Sequence, residues 1–341
     1  PWTNSWQPPL GSNGFVVARG RSLPVAYIGG SRPNVQLTLG DRAVSNGSSV
    51  SCGYPISGVS LRVRAAGAAS GAIAPGNTVT VDLGAALPTG LGRHDRTVEI
   101  KFEYSSDGGA TWSVLPGRQA TRHQIYTVLG GSKLSPWGTT SNEAREMPFV
   151  AAVDEATVSF GWGAQTSSAA LEGITRAVYS KKGLTYDTAA GASAYWDGGA
   201  LESNDFAFAD FLTGLSRGRV VNCSDCANIV STYSRSIGVD MKIAILGSDF
   251  RLNYIKGIGS SSWKKDIFDW GGDAFSYHAV GTVSNGQTVH DACLSVDDGP
   301  APWSFETRTE RLPVDMSLDR YRQKLSPDWF SIQAMGRCVQ Y

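Results

Sequence analysis

The spacing of hydrophobic residues changes once along this chain. From about residue 14 to about residue 130, apolar and polar positions alternate in short runs at 15–18, 35–39, 59–63, 78–83, 98–104, 112–115 and 124–129. Alternation at period two marks half-buried strands. Gly29-Gly30, Asn46-Gly47, Pro75-Gly76-Asn77 and Asp107-Gly108-Gly109 separate the runs and supply turn chemistry. Such a series with no helix-length pattern inside it predicts an immunoglobulin-like antiparallel β-sandwich. Residues 1–12 hold Trp and Pro without periodicity and read as an extended leader lying on a surface.

Ser105-Ser106-Asp107-Gly108-Gly109-Ala110-Thr111-Trp112 follows the Asp-box pattern S-x-D-x-G-x-T-W. It predicts a hairpin whose Ser and Asp side chains hold the turn above the Trp. A single copy lacks the repeat of a propeller, so the motif is structural rather than a site.

Pro136-Trp137-Gly138 and Pro148-Phe149 mark a boundary. We expect a β-sandwich accessory domain over 1–135 and a second domain over 136–341. Residues 164–180 predict a helix with Ala169, Ala170, Ile174 and Val178 on one stripe, capped by Ser167 or Ser168. A glycine- and alanine-rich loop covers 186–199, and a short helix covers 206–215. Strands are expected at 241–246, 277–282 and 288–296, and a short basic helix from about Leu318. Helices first and sheet later make this half α+β.

Between the short helix and the first strand lies the stretch from Val220 to Gly238. Ala227, Val230, Tyr233, Ser234 and Ile237 fall at three- and four-residue steps, predicting an amphipathic helix. Asn222 is placed as N-cap, Asp225 in the first turn, and Gly238 as the closing C′ glycine. Cys223 therefore opens a helix. Unpaired amides there stabilise a thiolate and donate to a developing oxyanion.

A thiol nucleophile needs a base, and the base an orienting group. His94 and His123 lie in the expected sandwich. His278 opens one strand, and His290 precedes Asp291 on the next, with Ser284-Asn285-Gly286 as hairpin signal between them. A four-residue loop places His278 opposite Asp291; a two-residue Asn285-Gly286 loop places it opposite Cys293, with Asp291 diagonal. Either register puts His278 and Asp291 on one face and His290 on the other.

Composition narrows the setting. The chain has 30 basic and 30 acidic residues with no basic block, which argues against a nucleic-acid partner. No apolar run reaches membrane-spanning length. Five cysteines, scarce lysine and abundant Gly, Ser, Thr and Trp suggest a secreted or extracellular protein with two disulfides and one free, reactive thiol. The chain begins at Pro1 without methionine, as a processed or trimmed form would. Asn46-Gly47-Ser48 and Asn222-Cys223-Ser224 match the N-glycosylation pattern, the second overlapping the thiol.

Cys223-Ser224-Asp225-Cys226-Ala227, followed by Arg235-Ser236-Ile237-Gly238-Val239, resembles the C-x-D-x-A…R-x-(L/I)-G-(I/V) core of the transglutaminase-like superfamily. His278-Ala279-Val280 resembles its H-A-(W/V) motif, and Val289-His290-Asp291-Ala292 its third motif, a hydrophobic residue shortly before D-(P/A). Asn222 stands where glycine is common, and Val280 where an aromatic is expected. The resemblance spans about residues 150–300. It implies a papain-like α+β fold, with Cys223 as nucleophile, His278 as general base and acid, and Asp291 as orienter. The implied activity is cleavage or transfer at an amide bond of a protein or peptide through a thioester, without a cofactor. Trp196, Asn204 and Trp263 are candidate oxyanion donors.

Two other readings stand beside this one. Cys223, Cys226, His290 and Cys293 have the spacing of a zinc site. A non-catalytic secreted scaffold would use its first domain, through exposed tryptophans such as Trp2, Trp6 or Trp137, to contact carbohydrate or a cell surface. A Cys226–Cys293 disulfide would staple the thiol helix to the His/Asp strands, leaving Cys52–Cys338 as the second bridge.

Overall fold

The computed structural model describes residues 25–38, 42–45, 48–51, 59–65, 68–72, 78–82, 84–114, 120–130, 150–196, 205–212, 217–304, 307–336 and 339–340. The leader, the run at 15–18, two of the turns (Asn46-Gly47 and Pro75-Gly76-Asn77), the boundary segment 131–149, Trp2, Trp6, Cys52, Trp137, Asn204 and Cys338 lie outside them. The fold is mixed α+β, with several small sheets and, among the described residues, five α-helices.

In the first half, Ser60–Ala65, Gly92–Ser105 and Ala120–Val128 form the antiparallel middle of one sheet. Val25–Ile28 closes one edge, running parallel to Ala120–Val128. Asn34–Thr38 pairs with Thr78–Asp82 as a separate ribbon. Val25–Ile28, apolar throughout, and the serine-rich hairpin Arg42–Ser45/Ser48–Ser51 went unpredicted because neither alternates cleanly between apolar and polar positions. Residues 105–112 form the expected turn. The Ser105 hydroxyl donates to Asp107 Oδ1 at 2.6 Å, Thr111 N to the same oxygen at 2.9 Å, and Trp112 Nε1 to the Gly109 carbonyl at 3.0 Å.

The second half is built around the thiol helix, Cys223–Ser236. Every one of its residues is buried. The sequence pattern predicted one buried stripe, but a five-stranded antiparallel sheet packs on one side of the helix and the helix Ser167–Lys181 on another. Sheet order is Met316–Ser317, Thr288–His290, His278–Val283, Lys242–Leu246, Ile332–Gly336. The Ser167–Lys181 helix is capped by Thr166, whose hydroxyl accepts from Ala169 N at 3.2 Å, and not by Ser167 or Ser168. Thr166 is the last residue with extended backbone, which is what an N-cap requires.

The helix end is pinned to the first half. Leu129 and Gly130 amides donate to the Ile237 carbonyl at 3.0 and 3.3 Å. Gly130 and Gly238 meet backbone to backbone: a Cβ on Gly238 would lie 2.4 Å from the Gly130 carbonyl oxygen, and Gly238 adopts φ +84°. Nearby, Tyr126 and Arg93 both donate to Asp154 Oδ1, at 2.8 and 2.7 Å.

Residues 288–296 were expected as one strand and form two. Thr288–His290 belongs to the five-stranded sheet; Leu294–Asp297 pairs with Ile255–Gly257 and Glu310–Arg311. The break is chemical. Asp291 Oδ1 accepts the amides of Cys293 at 2.7 Å and Leu294 at 3.2 Å, turning the chain out of the first sheet.

Candidate active site

Cys223 is placed by a capping box. Asn222 has extended backbone, and its Oδ1 accepts Asp225 N at 3.1 Å while Asp225 Oδ2 accepts Asn222 N at 3.2 Å. Asp225 is fully buried and takes four more donors from one loop: the Ser193 hydroxyl at 2.5 Å and the amides of Ala194, Tyr195 and Trp196 at 2.7, 2.9 and 3.1 Å. Burial pushes its pKa above the usual carboxylate range, against the pull of those hydrogen bonds. Asn222 Nδ2 donates to the Gly191 carbonyl at 2.9 Å. The loop 191–196 is thus laced to the cap and first turn of the helix, and Cys223 is only 5% exposed.

His278 begins the strand next to Lys242–Leu246. Gly281 pairs with His290 and Val283 with Thr288, which is the register set by a two-residue loop. The ladder ends at His290, so Asp291 leaves the sheet one residue beyond the last pair. The hairpin closes through Ser284, Asn285 and Gly286 at φ 52°, 55° and 85°, three positive-φ residues of which Asn and Gly adopt that region most readily. His278 Nε2 lies 3.0 Å from Asp291 Oδ2. The other ring nitrogen, Nδ1, is buried without a conventional partner, and the Cys223 thiol is close enough to act on the imidazole. Phe275 stacks on the ring at 5.4 Å and 15°.

The electrostatics of this histidine decide its protonation. Burial alone would depress its pKa. The charge of Asp291, the hydrogen bond to it and the neighbouring thiol outweigh that and raise it to about 10. The structure therefore brings together the three residues singled out in the sequence, with the imidazole biased toward its charged form.

A fourth side chain joins them. The Tyr321 hydroxyl donates to Asp291 Oδ2 at 2.6 Å, and both Tyr321 and Asp291 are buried. Asp291 thus accepts from four donors: His278, Tyr321 and two backbone amides. The sequence pointed to the basic helix, found as Leu318–Leu325, but not to this residue. Leu318, Tyr321 and Leu325 form its buried stripe, and a buried tyrosine needs a hydroxyl partner; that was the available signal.

The other expectations fare differently. Cys226 and Cys293 lie within hydrogen-bonding reach of each other as free, buried thiols, not as the expected disulfide. Burial pushes Cys293 well above the ordinary thiol range; Cys226 is raised too, although contact with Cys293 alone would lower it. His290 faces Glu172 and Asp315 on the far side of the strand, buried with both ring nitrogens unpartnered, and burial lowers its pKa to about 4. Among the described residues no three His, Cys, Asp or Glu side chains gather as metal ligands. Trp263 carries Lys256 and Arg308 over its ring at 5.1 and 5.9 Å. Trp196 Nε1 is buried with no partner. Among the described residues no helix is long and apolar enough to cross a membrane. No protein-family model matches the chain, and no curated protein matches it.

Proposed function

We propose that the chain is a thiol-dependent amide-bond enzyme, a peptidase, amidase or acyl transferase working through a thioester. The observation that carries this reading is the buried His278–Asp291 pair set against a cysteine on the first turn of a buried helix. Cys223 is the nucleophile. His278 takes its proton, and Asp291 and Tyr321 fix the ring so that Nε2–H points at the carboxylate and Nδ1 is left for the sulfur. The resulting thiolate–imidazolium pair attacks an amide carbonyl. Free amides at the helix N-terminus stabilise the oxyanion, and His278 protonates the leaving amine. Water or an acceptor amine then resolves the thioester.

The architecture fits a transglutaminase-like arrangement, with the cysteine on a central helix and the histidine on an antiparallel sheet beside it. An immunoglobulin-like first domain over 1–135 accords with the parallel pairing of Val25–Ile28 to the last strand of its sheet. The substrate is a protein or peptide, and the setting secreted or extracellular.

The test is incubation with an amine-bearing probe and a glutamine-containing protein, wild type against Cys223→Ala. Probe incorporation lost in the variant means transfer; ammonia or cleaved peptide without incorporation means hydrolysis. Neither product from the wild type, over a range of protein and peptide substrates, counts against the enzyme reading.

A further inference from the structure

Cys226 and Cys293 have no part in the amide chemistry, yet both are free thiols buried beside it. Cys223 and Cys226 stand at the first and fourth positions of one continuous helix, Cys223–Ser236. Helical geometry fixes their separation. Three residues rise about 4.5 Å and turn about 300°, which puts the two Cα atoms about 5 Å apart on one face. A disulfide spans roughly 4.4–6.8 Å between Cα atoms, so a bond between these two sulfurs needs no unwinding of the helix. The Asn222–Asp225 capping box holds the turn that carries both cysteines.

The three thiols are not equivalent. Cys223 is the most accessible of them and lies beside the His278 imidazole. A thiolate held at a helix N-terminus by an imidazolium is the form of cysteine that hydroperoxides oxidise. Cys226 is out of direct reach but is the better supported of the two buried thiols. Contact with Cys293 pulls its pKa down, although burial and the nearby carboxylates leave it raised overall. Burial and that same contact push Cys293 well up, as expected of a thiol that donates its hydrogen to the Cys226 sulfur.

We propose that Cys223 and Cys226 form a reversible disulfide in response to hydrogen peroxide, with Cys223 the thiol that is oxidised and Cys226 the thiol that resolves it. This rests on the reading of Cys223 as the activated nucleophile. The Cys223 thiolate attacks one peroxide oxygen and the O–O bond breaks. The products are Cys223 sulfenic acid and hydroxide, which takes the His278 proton and leaves as water. The Cys226 sulfur then attacks the Cys223 sulfur. The S–S bond forms as the S–O bond breaks, and the departing hydroxide leaves as water with the Cys226 proton. Two thiols are oxidised and one peroxide is reduced to two waters. Without Cys226 the sulfenic acid stays open to a second peroxide and becomes sulfinic acid, which thiol reductants do not reverse. The disulfide blocks the nucleophile but is returned to two thiols by an external dithiol.

Full-length wild type, Cys226→Ala and Cys293→Ala are treated with hydrogen peroxide, then with or without dithiothreitol. Cys223 is read by iodoacetamide labelling and by peptide mass. Trypsin releases Cys223 and Cys226 together in Val220–Arg235, with Cys293 on another peptide. A Cys223–Cys226 link therefore stays within one peptide, and a Cys226–Cys293 link joins two. The expected wild-type product is a Val220–Arg235 peptide lighter by two hydrogens, with Cys223 labelling at least about 10-fold lower and restored by dithiothreitol. Cys293→Ala gives the same product. Cys226→Ala labels like wild type before peroxide but ends as Cys223 sulfinic acid, beyond recovery. A link to the Cys293 peptide, irreversible oxidation of wild-type Cys223, no oxidation at all, or full recovery in Cys226→Ala overturns the proposal. The wild-type peptide decides this even where a variant fails to fold. Fast labelling before peroxide with no link to Cys226 afterwards refutes the redox pair and leaves the enzyme reading standing. Slow labelling before peroxide counts against the enzyme reading itself.

Discussion

Replacing Asp291 by Asn changes almost no volume but reverses the chemistry of one atom. The carboxylate sits among four donors: His278 Nε2, the Tyr321 hydroxyl and the amides of Cys293 and Leu294. An Asn oxygen can satisfy the two amides, but its NH₂ then faces His278 and Tyr321. The imidazole must present an unprotonated Nε2, which moves its proton to Nδ1, the nitrogen left for the thiol. Burial is then the dominant influence on His278, and its pKa should fall from about 10 to below 6.5. The difference between about 10 and the ordinary 6.5, at 1.36 kcal/mol per pH unit, corresponds to about 5 kcal/mol favouring the charged form in the wild type. The sign follows from linkage. A raised folded-state pKa contributes stability fully present below pH 6.5 and lost as pH rises through about 10. Wild type should therefore lose several kcal/mol of unfolding free energy across that window, and Asp291→Asn should lose little there. The assays are urea unfolding at a series of pH values and NMR titration of the His278 ring, assigned by its disappearance in His278→Gln. A folded Asp291→Asn protein whose His278 still titrates near pH 10 would refute the reasoning.

Further outcomes follow from the same geometry. Tyr321→Phe removes one of the four donors to Asp291 and should cost about 1–2 kcal/mol in urea unfolding while leaving His278 protonated at neutral pH; no measurable loss would contradict it. Gly238→Ala forces a Cβ against the Gly130 carbonyl at positive φ and should cost about 3 kcal/mol, read as a lowered urea midpoint. His290, lowered to about 4, takes up its proton in the unfolded chain first, so stability should fall by about 3 kcal/mol as pH drops from 6.5 through 4. His290→Phe should flatten that part of the curve.

Much of the site was legible because its signals are local. The cap, first turn and closing glycine of the thiol helix are all set by residues within Asn222–Gly238, and the helix forms as they specify. The nearness of His278 and Asp291 followed from the Ser284-Asn285-Gly286 hairpin signal, because both registers considered put the two residues on one face. What escaped depends on distance in sequence. The helix was read as amphipathic from the one stripe of Ala227, Val230, Tyr233, Ser234 and Ile237, yet Ser224, Asn228 and Ser231, off that stripe, are buried too. Asn228 Nδ2 donates to the Ser224 carbonyl and the Ser231 hydroxyl to the Met241 carbonyl, both at 2.9 Å. The break after His290 arises from a side chain capturing backbone amides, which alternation cannot reveal. Tyr321 reaches Asp291 from thirty positions away. The helix Val150–Asp154 and the π-helical turn Glu155–Phe160 follow the boundary segment, in a stretch for which the sequence pattern predicted no element.

The central claim is that Cys223 and His278 share a proton-transfer pair. The most direct measurement is the rate of iodoacetamide alkylation of Cys223 as a function of pH, followed by mass spectrometry of the Cys223 peptide in wild type and His278→Gln. An ordinary thiol reacts more slowly as pH falls below about 8.5. The account predicts that wild type keeps a fast rate down to pH 5–6 and that His278→Gln loses it by two orders of magnitude or more. Equal rates in the two proteins at pH 6, or a wild-type thiol that reacts only in alkali, would contradict it.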